Sequence, residues 1–170
     1  MRKDWHGLVK ILEIQHVRDG KVIWEDKNLY NTLHVGGELF ILTCCFDNDG
    51  TFPPAQYYFG LDNRATITTD DLISDVTDEP TANGYLRAAV NSAGQFSVDL
   101  ANGVYRATSQ IVTFSASGGS WGPVKNLFMA TTSNDDGILI ASSPLSASIT
   151  VASGDSINMR MALALKDYPA

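Results

Sequence analysis

Turn-forming sequences divide the second half of the chain into short segments. They occupy residues 91–94, 102–103, 118–120, 134–137, 143–144 and 153–155 and are rich in Gly, Asn, Asp and Ser. Strands of this length, joined by such turns, build antiparallel sheets. The predicted strands are Tyr85–Val90, Gln95–Leu100, Val104–Ser115, Val124–Thr131, Ile138–Ser143, Ala147–Val151 and Ser156–Leu165. The pattern predicts a mainly β protein that folds as an antiparallel β-sandwich.

The last of these segments has the clearest strand pattern. Large apolar residues occupy every second position, at Ile157, Met159, Met161, Leu163 and Leu165. Successive side chains of a strand point to opposite faces, so this spacing puts all five on one face. A helix would scatter the same residues around its axis. We therefore expect one face of this strand to lie in the core.

The first third of the chain predicts a β-hairpin and one short helix ahead of the sandwich. The segments Leu8–Val17 and Val22–Asp26 flank Asp19-Gly20, a dipeptide typical of tight turns. Asn31 can then cap a helix that Gly36-Gly37 weakens. Its core face is predicted to hold Leu33, Gly37, Phe40, Ile41 and Cys44.

An aromatic strand, Gln56–Leu61, follows, and then an acidic connection with one helical turn at Asp70–Ser74. We divide the chain into an N-terminal part, residues 1–55, which is a possible docking element, and a jelly-roll-like sandwich domain, residues 56–170. The two are expected to pack as one unit, because 170 residues are one domain's worth of chain.

Charge and apolar run length exclude two classes of partner. The net charge is −7 and no cluster of Lys or Arg is present, so we expect neither nucleic acid nor an anionic membrane as a partner. The longest apolar runs, residues 38–46 and 161–165, are far shorter than the roughly 20 residues that span a bilayer. Cys44 and Cys45 are neighbours, which favours reduced thiols packed inside an apolar run. Lys10 and Glu13 interrupt the segment where a signal peptide would be apolar, so we expect synthesis in a cytoplasm.

The sequence lacks the motifs of common catalytic sites. The histidines, His6, His16 and His34, all precede the first serine, Ser74, and no Gly-x-Ser-x-Gly or phosphate-binding glycine motif occurs. We expect no enzyme activity, no catalytic residue, no cofactor and no resident metal.

Two acidic turns and one acidic segment are the candidate cation sites of the sequence. The turns at residues 47–50 and 134–137 are too short for a helix-loop-helix calcium site. A solvated loop is the favoured interpretation of the acidic segment, and a cation site between subunits is its alternative. That segment contains Asp70, Asp71, Asp75, Asp78 and Glu79.

Several motifs resemble those of small virion proteins of tailed bacteriophages. They are Tyr-Phe-Gly-Leu-Asp-Asn-Arg at 58–64, Asp-Glu-Pro at 78–80, Asn-Gly-Tyr-Leu-Arg at 83–87, and Thr-Phe at 113–114 followed by Ser-Trp-Gly-Pro-Val-Lys-Asn-Leu-Phe at 120–128. The resemblance covers residues 57–165. It implies a β-sandwich or jelly-roll module that serves in head decoration or in a tail fibre. Within these motifs, the candidate structural anchors are Tyr85, Arg87, Trp121 and Phe128.

Together with the nearly uncharged second half, this resemblance favours a capsid decoration (cement) protein on the surface of the virion. Such a protein is expected to form a homo-oligomer, with a trimer favoured, and to stabilise the assembled head by binding the major capsid protein. The N-terminal hairpin is the candidate docking element, and a cover over one end of the sandwich is its equally weighted alternative. The candidate docking residues are Lys10, Arg18, Lys21, Trp24 and Lys27.

Two alternatives involve carbohydrate. The first is a tail or fibre component whose β-sandwich binds a host polysaccharide, and the second is a cellular carbohydrate-binding module. The absence of a heptad or β-helical shaft favours the head over the fibre. Aromatic residues that stacking on a sugar requires are available at Trp5, Trp24, Trp121, Tyr57, Tyr58 and Tyr85.

Overall fold

The computed structural model describes residues 8–47, 52–101 and 103–164. The described residues form ten strands, one α-helix and one short 3-10 helix, Ile73–Asp75. The elements are β1 Leu8–Arg18, β2 Lys21–Leu33, α1 Val35–Phe46, β3 Gln56–Asp62, β4 Ala88–Asn91, β5 Phe96–Ala101, β6 Val104–Ser109, β7 Val112–Ser115, β8 Trp121–Ala130, β9 Leu139–Val151 and β10 Ser156–Ala164. The prediction of a mainly β chain with one short helix is confirmed.

The strands form two antiparallel sheets. One has the order β4-β3-β8-β9, and the other has the order β2-β1-β10-β6-β5, with β7 also paired to β10. The two sheets are joined where β2 meets β9, at the pairs Thr32–Ser142 and Leu33–Ala141. Because this ladder is only two pairs long, the sheets can turn about it and face each other.

The pairing between distant strands is nested. β1 pairs with β10, β2 with β9, β3 with β8 and β5 with β6, while β4 lies against β7. The chain therefore behaves as one long antiparallel ribbon rolled up on itself, which is the arrangement of a jelly roll. The β1–β2 hairpin lies inside this roll, and β1 is paired on both sides.

One hydrophobic core fills the space between the sheets. The alternation predicted for the last strand is confirmed at its first four positions, since Ile157, Met159 and Met161 are buried and Leu163 packs against the core. Leu165 lies outside the described residues. From the other sheet, the core receives buried side chains such as Phe59 and Leu127. Burial of large apolar side chains from both sheets is the main force that holds such a sandwich together.

Helix α1 covers one end of this core. The predicted core face is confirmed, because Gly37 and Phe40 are buried and Ile41 and Cys44 pack against the core. The predicted cap is wrong: Asn31 belongs to β2, and the helix follows His34. The pairing of Thr32 and Leu33 with β9 extends β2 past the predicted cap.

Three predicted strand boundaries are also wrong. Residues 143–144 do not form a turn, and β9 runs through Pro144 at a break in its register with β8, where a missing N–H is tolerated. The predicted strand 104–115 is two strands, β6 and β7, which meet different parts of β10. The strand predicted from Tyr85 begins only at Ala88.

The two cysteines differ in their surroundings. Cys44 and Cys45 form no disulfide; Cys44 is half-buried, whereas Cys45 is exposed. The expectation that both pack inside an apolar run is wrong for Cys45, because neighbouring residues of a helix point in different directions.

Candidate functional site

The candidate anchors Tyr85, Arg87, Trp121 and Phe128 lie together on the β3–β8 side of the sandwich. The Tyr85 hydroxyl accepts a hydrogen bond from the Leu61 amide at 2.8 Å and donates one to the Glu79 carboxylate at 2.7 Å. Burial, reinforced by the charge of Glu79, raises the pKa of Tyr85 well above its ordinary value. The hydroxyl therefore stays protonated and acts as a structural link between β3 and the acidic segment.

Trp121 closes the same cluster from the other side. Its ring is 4% exposed and meets Tyr85 edge-to-face at 5.6 Å between centroids. The indole Nε1–H donates to the carbonyl groups of Ala82 and Asn83, both at 3.1 Å. Buried in this way, Trp121 ties the segment before Tyr85 to the start of β8.

Arg87 occupies the opposite end of the cluster. Its guanidinium donates to the Glu79 carboxylate and, at 2.6 Å, to Asp135. It also lies over the ring of Phe128, 5.2 Å from the centroid. Burial alone would lower the pKa of Arg87, but the two carboxylates raise it overall. Arg87 is therefore a fixed cation that pairs with two acidic residues.

The position of the Phe128 ring explains why residue 60 of the 58–64 motif is a glycine. A Cβ on Gly60 would lie 2.1 Å from the ring, so no larger residue fits there without displacement of Phe128. The ring also belongs to a second apolar cluster, between the acidic segment and the outer face of the β3–β8 sheet. This cluster contains Ile67, Ile73, Val76, Phe128, Ala130 and Leu139. The motif residues thus fasten the long connection onto the sheet.

Several carboxylates of the acidic segment hold its own turns. Asp71 accepts hydrogen bonds from the amide and hydroxyl of Thr68, at 3.0 and 2.7 Å, and Asp75 accepts one from the Leu72 amide at 2.8 Å. Arg64 pairs with Asp62 at 3.3 Å. Within the described ranges, no group of three or more His, Cys, Asp or Glu side chains is arranged to hold a metal ion.

The candidate docking residues do not form a free basic surface. Arg18 is paired with Asp155 at 2.8 Å, and Lys27 is paired with Glu25 at 2.8 Å. The ring of Trp24 packs against the core. Lys10 is half-buried in β1 and Lys21 is exposed at the start of β2. In the described part of the hairpin, only β2 has an open edge, between Lys21 and Asn31.

The structure brings a serine and a histidine together, although they are far apart in the sequence. The His34 Nε2 atom lies 2.9 Å from the Ser142 hydroxyl, and Nδ1 lies 3.2 Å from the Thr69 carbonyl. Burial lowers the pKa of His34, so the ring is neutral, donates from Nδ1 and accepts from the serine. Both side chains are buried, which keeps substrates away from the hydroxyl. The pair is a structural contact between β9, α1 and the acidic segment.

A second buried contact joins β1 to the turn between β9 and β10. The His16 Nε2 atom lies 2.7 Å from Asp155, which also accepts bonds from Arg18. The Arg18 guanidinium, with help from His16 and the Ala152 amide, holds the pKa of Asp155 well below its ordinary value despite burial. No sequence motif marks this group, because its members are 137 and 139 residues apart.

Most of the candidate sugar-stacking aromatic side chains pack inside the protein. Trp121 is buried, Trp24, Tyr57 and Tyr85 pack against the core, and Trp5 lies outside the described residues. Tyr58 is half-buried and lines a shallow groove that carries no charged side chain. The groove is lined by Pro54, Ala55, Gln56, Tyr58, Asn91, Thr131, Thr132, Ser133 and Asn134.

Comparison with known proteins assigns the chain to a family. No described helix has the length and apolarity needed to cross a membrane. No curated protein matches the chain. The model of one protein family, described as podophage GP4 fiber I protein gp80, matches residues 38–164, from α1 to the end of β10. The match covers the acidic segment and every candidate anchor. The chain therefore belongs to the podophage GP4 fiber I protein gp80 family, and it is a structural protein of a bacteriophage virion.

Proposed function

We propose that the protein is a fibre component of the virion. The observation that carries this proposal is the match to a fibre protein family over residues 38–164, which include most of the jelly roll. In this role, the fold serves as a rigid module that acts through contacts with other proteins and with the host surface. The clustered anchors support it, because they hold the longest connection of the chain firmly against the sheet.

Capsid decoration is the competing assignment. It would require the protein to bind the major capsid protein, as a trimer or another homo-oligomer, over the surface of the head. The N-terminal hairpin offers limited support for contact with the capsid, since Arg18 and Lys27 are paired within the chain and Trp24 packs against the core. The family description adds no support for the head, because it refers to a fibre.

The groove beside Tyr58 supports the part of the fibre proposal that concerns the host. Its amides and hydroxyls can exchange hydrogen bonds with sugar hydroxyls, and a tyrosine can pack against a sugar ring. The Gln56 amide is held in place, because it donates to Asn91 and accepts from the Tyr58 hydroxyl, both at 2.9 Å. The lack of charge fits a neutral polysaccharide.

Immunogold labelling of intact virions tests the proposal. An antibody against this protein should label sites on fibres, whereas an antibody against the major capsid protein, as the control, should label the head evenly. As a second measurement, the purified protein should fail to sediment with undecorated capsids. Even labelling of the head and saturable sedimentation with capsids would instead establish the decoration role.

A further inference from the structure

Strand β5 forms an open edge of its sheet. Within the described ranges it pairs only with β6, at the end of the order β2-β1-β10-β6-β5. Just before β5 begins, the Gln110 amide donates to the Gln95 carbonyl at 2.8 Å. Because hydrogen-bonded and non-bonded pairs alternate in an antiparallel ladder, the backbone N–H and C=O groups of Phe96, Val98 and Leu100 point away from β6. These three residues can therefore pair with a further strand.

The opposite edge of the same sheet, β2, is protected against such pairing. It carries Lys21 and Lys27, and Asn28 has a φ of 60°, which interrupts the extended edge. Charged side chains and local kinks of this kind keep sheet edges from associating. The β5 edge has no lysine and no such kink. Asp99 is its single charged residue, and that carboxylate is paired with Arg106 at 3.0 Å. Of these two edges, β5 is the one that can accept another strand.

The β5–β6 hairpin also carries apolar side chains that the core does not cover. Val98, Leu100 and Tyr105 are 74%, 59% and 70% exposed. Val98 and Leu100 are two residues apart, and Tyr105 lies directly opposite Leu100, so all three lie on one face of the hairpin. On the same face, Phe96 reaches the core, where its ring meets Tyr57 edge-to-face at 5.8 Å. A strand added beside β5 would pack against the exposed side chains from the side.

We propose that β5 pairs antiparallel with β5 of a second copy of this chain, about a twofold axis at Val98. In this register, Val98 lies opposite Val98 of the second copy, and Phe96 lies opposite Leu100. Every outward backbone group of the strand then has a partner. A twofold axis at Asp99 would instead oppose two carboxylates. An axis at Ser97 would leave Leu100 beyond the end of the partner strand.

A second copy fits this edge because the strand is complementary to itself. On the apolar face, the register places Phe96 beside Leu100 of the other copy. On the opposite face, the Ser97 hydroxyl of each copy lies opposite the Asp99 carboxylate of the other, so a donor faces an acceptor. Arg106 already pairs with that carboxylate, so two chains with a net charge of −7 can meet here. The contact uses the same surface on both copies and closes as a dimer, not as the trimer that the sequence favoured.

A cross-link that depends on the register tests this proposal in the full-length chain. In Val98→Cys, the two introduced thiols face each other across the axis with Cα atoms about 5.5 Å apart, a distance that a disulfide spans. Leu100→Cys is the matched control on the same face of the same strand. Its two thiols lie four residues apart along the paired strands, about 14 Å, which is too far for a disulfide. Cys45→Ser, which removes the exposed native thiol, is the background for both variants.

On air oxidation, Val98→Cys should form a disulfide-linked dimer at least about 10-fold faster than Leu100→Cys, because only the first pair is within reach. Sedimentation velocity should show that wild type dimerises as its concentration rises. Val98→Lys, which opposes two lysines at the axis, should weaken association by at least about 10-fold, whereas Leu86→Lys should not. Circular dichroism should show that all variants keep the fold, since each substituted side chain on β5 is more than half exposed. Equal cross-linking of the two cysteine variants, or a wild-type protein that stays monomeric at every concentration, would overturn the proposal.

Discussion

Individual buried side chains connect distant segments of the chain at the ends of the jelly roll. Trp121 contributes a buried ring and two hydrogen bonds to the segment before Tyr85. Asp155 contributes a buried carboxylate that connects β1 to the β9–β10 turn through Arg18 and His16. The sequence indicated the first residue through the Trp-Gly-Pro motif. It could not indicate the second, because an ion pair between residues so far apart leaves no local pattern.

Replacement of Trp121 by alanine should lower the free energy of unfolding by about 3–5 kcal/mol, since a large buried ring is lost and a cavity remains. Trp121→Phe should cost less, because it keeps most of the buried area and loses only the indole hydrogen bonds. Urea denaturation measures both effects. Leu86→Ala, at a side chain that is 80% exposed, is the control and should change stability by no more than about 0.5 kcal/mol.

The Asp155 carboxylate should make stability depend on acid pH. Its pKa is lower in the folded state than in the unfolded chain, where it is about 3.9. The carboxylate therefore stabilises the fold above about pH 4, and this contribution is lost as the pH falls toward the folded-state value. The difference in unfolding free energy between wild type and Asp155→Asn should shrink as the pH falls from about 5 to about 2. Asp70→Asn removes the same charge from an exposed side chain and should show a much smaller change.

At the scale of elements, helix α1 contains two adjacent glycines, Gly36 and Gly37, that look equivalent in the sequence but have different surroundings in the structure. Both lower helix propensity, and the sequence alone suggests only that they weaken the helix. In the structure, Gly37 faces β9, where a Cβ would lie 2.4 Å from the carbonyl oxygen of Ile140. A Cβ on Gly36 would meet Ile138 at 3.4 Å, an ordinary contact. The first glycine is therefore replaceable, whereas the second sets the distance between helix and sheet.

Gly36→Ala should raise the free energy of unfolding by up to about 1 kcal/mol, because alanine restricts the unfolded chain and favours the helix. Gly37→Ala should lower it despite the same gain in propensity, since the helix must move away from β9. Thermal and chemical denaturation of the two variants, side by side, measures the contrast. Equal stabilisation by both substitutions would show that α1 does not pack closely on β9.

The elements that the sequence predicted well are those with local causes. Alternation identified β10, and helical spacing identified the core face of α1. The errors come from distant contacts: β2 is prolonged by its pairs with β9, and the strand start at Ala88 follows from the bonds that Tyr85 and Arg87 make to Glu79. The exposed apolar side of α1, which carries Val35, Leu39, Leu42 and Phe46, was missed for a similar reason. Apolar residues on a helix do not reveal which of its two sides the fold will cover.

At the scale of the whole molecule, the nested strand pairing encloses one core, and several apolar side chains remain exposed outside it. The sheets, the core and the motif cluster account for the stability of one copy. Apolar side chains of α1 and of the β5–β6 hairpin, such as Leu39, Phe46 and Tyr105, are exposed outside that core. A structural protein of a virion needs both properties, because it must fold as one unit and still attach to its neighbours.

The nested ladder also sets the order in which the protein can fold. β1 leaves the ribosome about 150 residues ahead of its partner β10. Such pairings close very long loops and make folding slow. The apolar face of the β1–β2 hairpin therefore stays uncovered until β10 has been made. During that interval, the net charge of −7 opposes aggregation, because like-charged nascent chains repel one another.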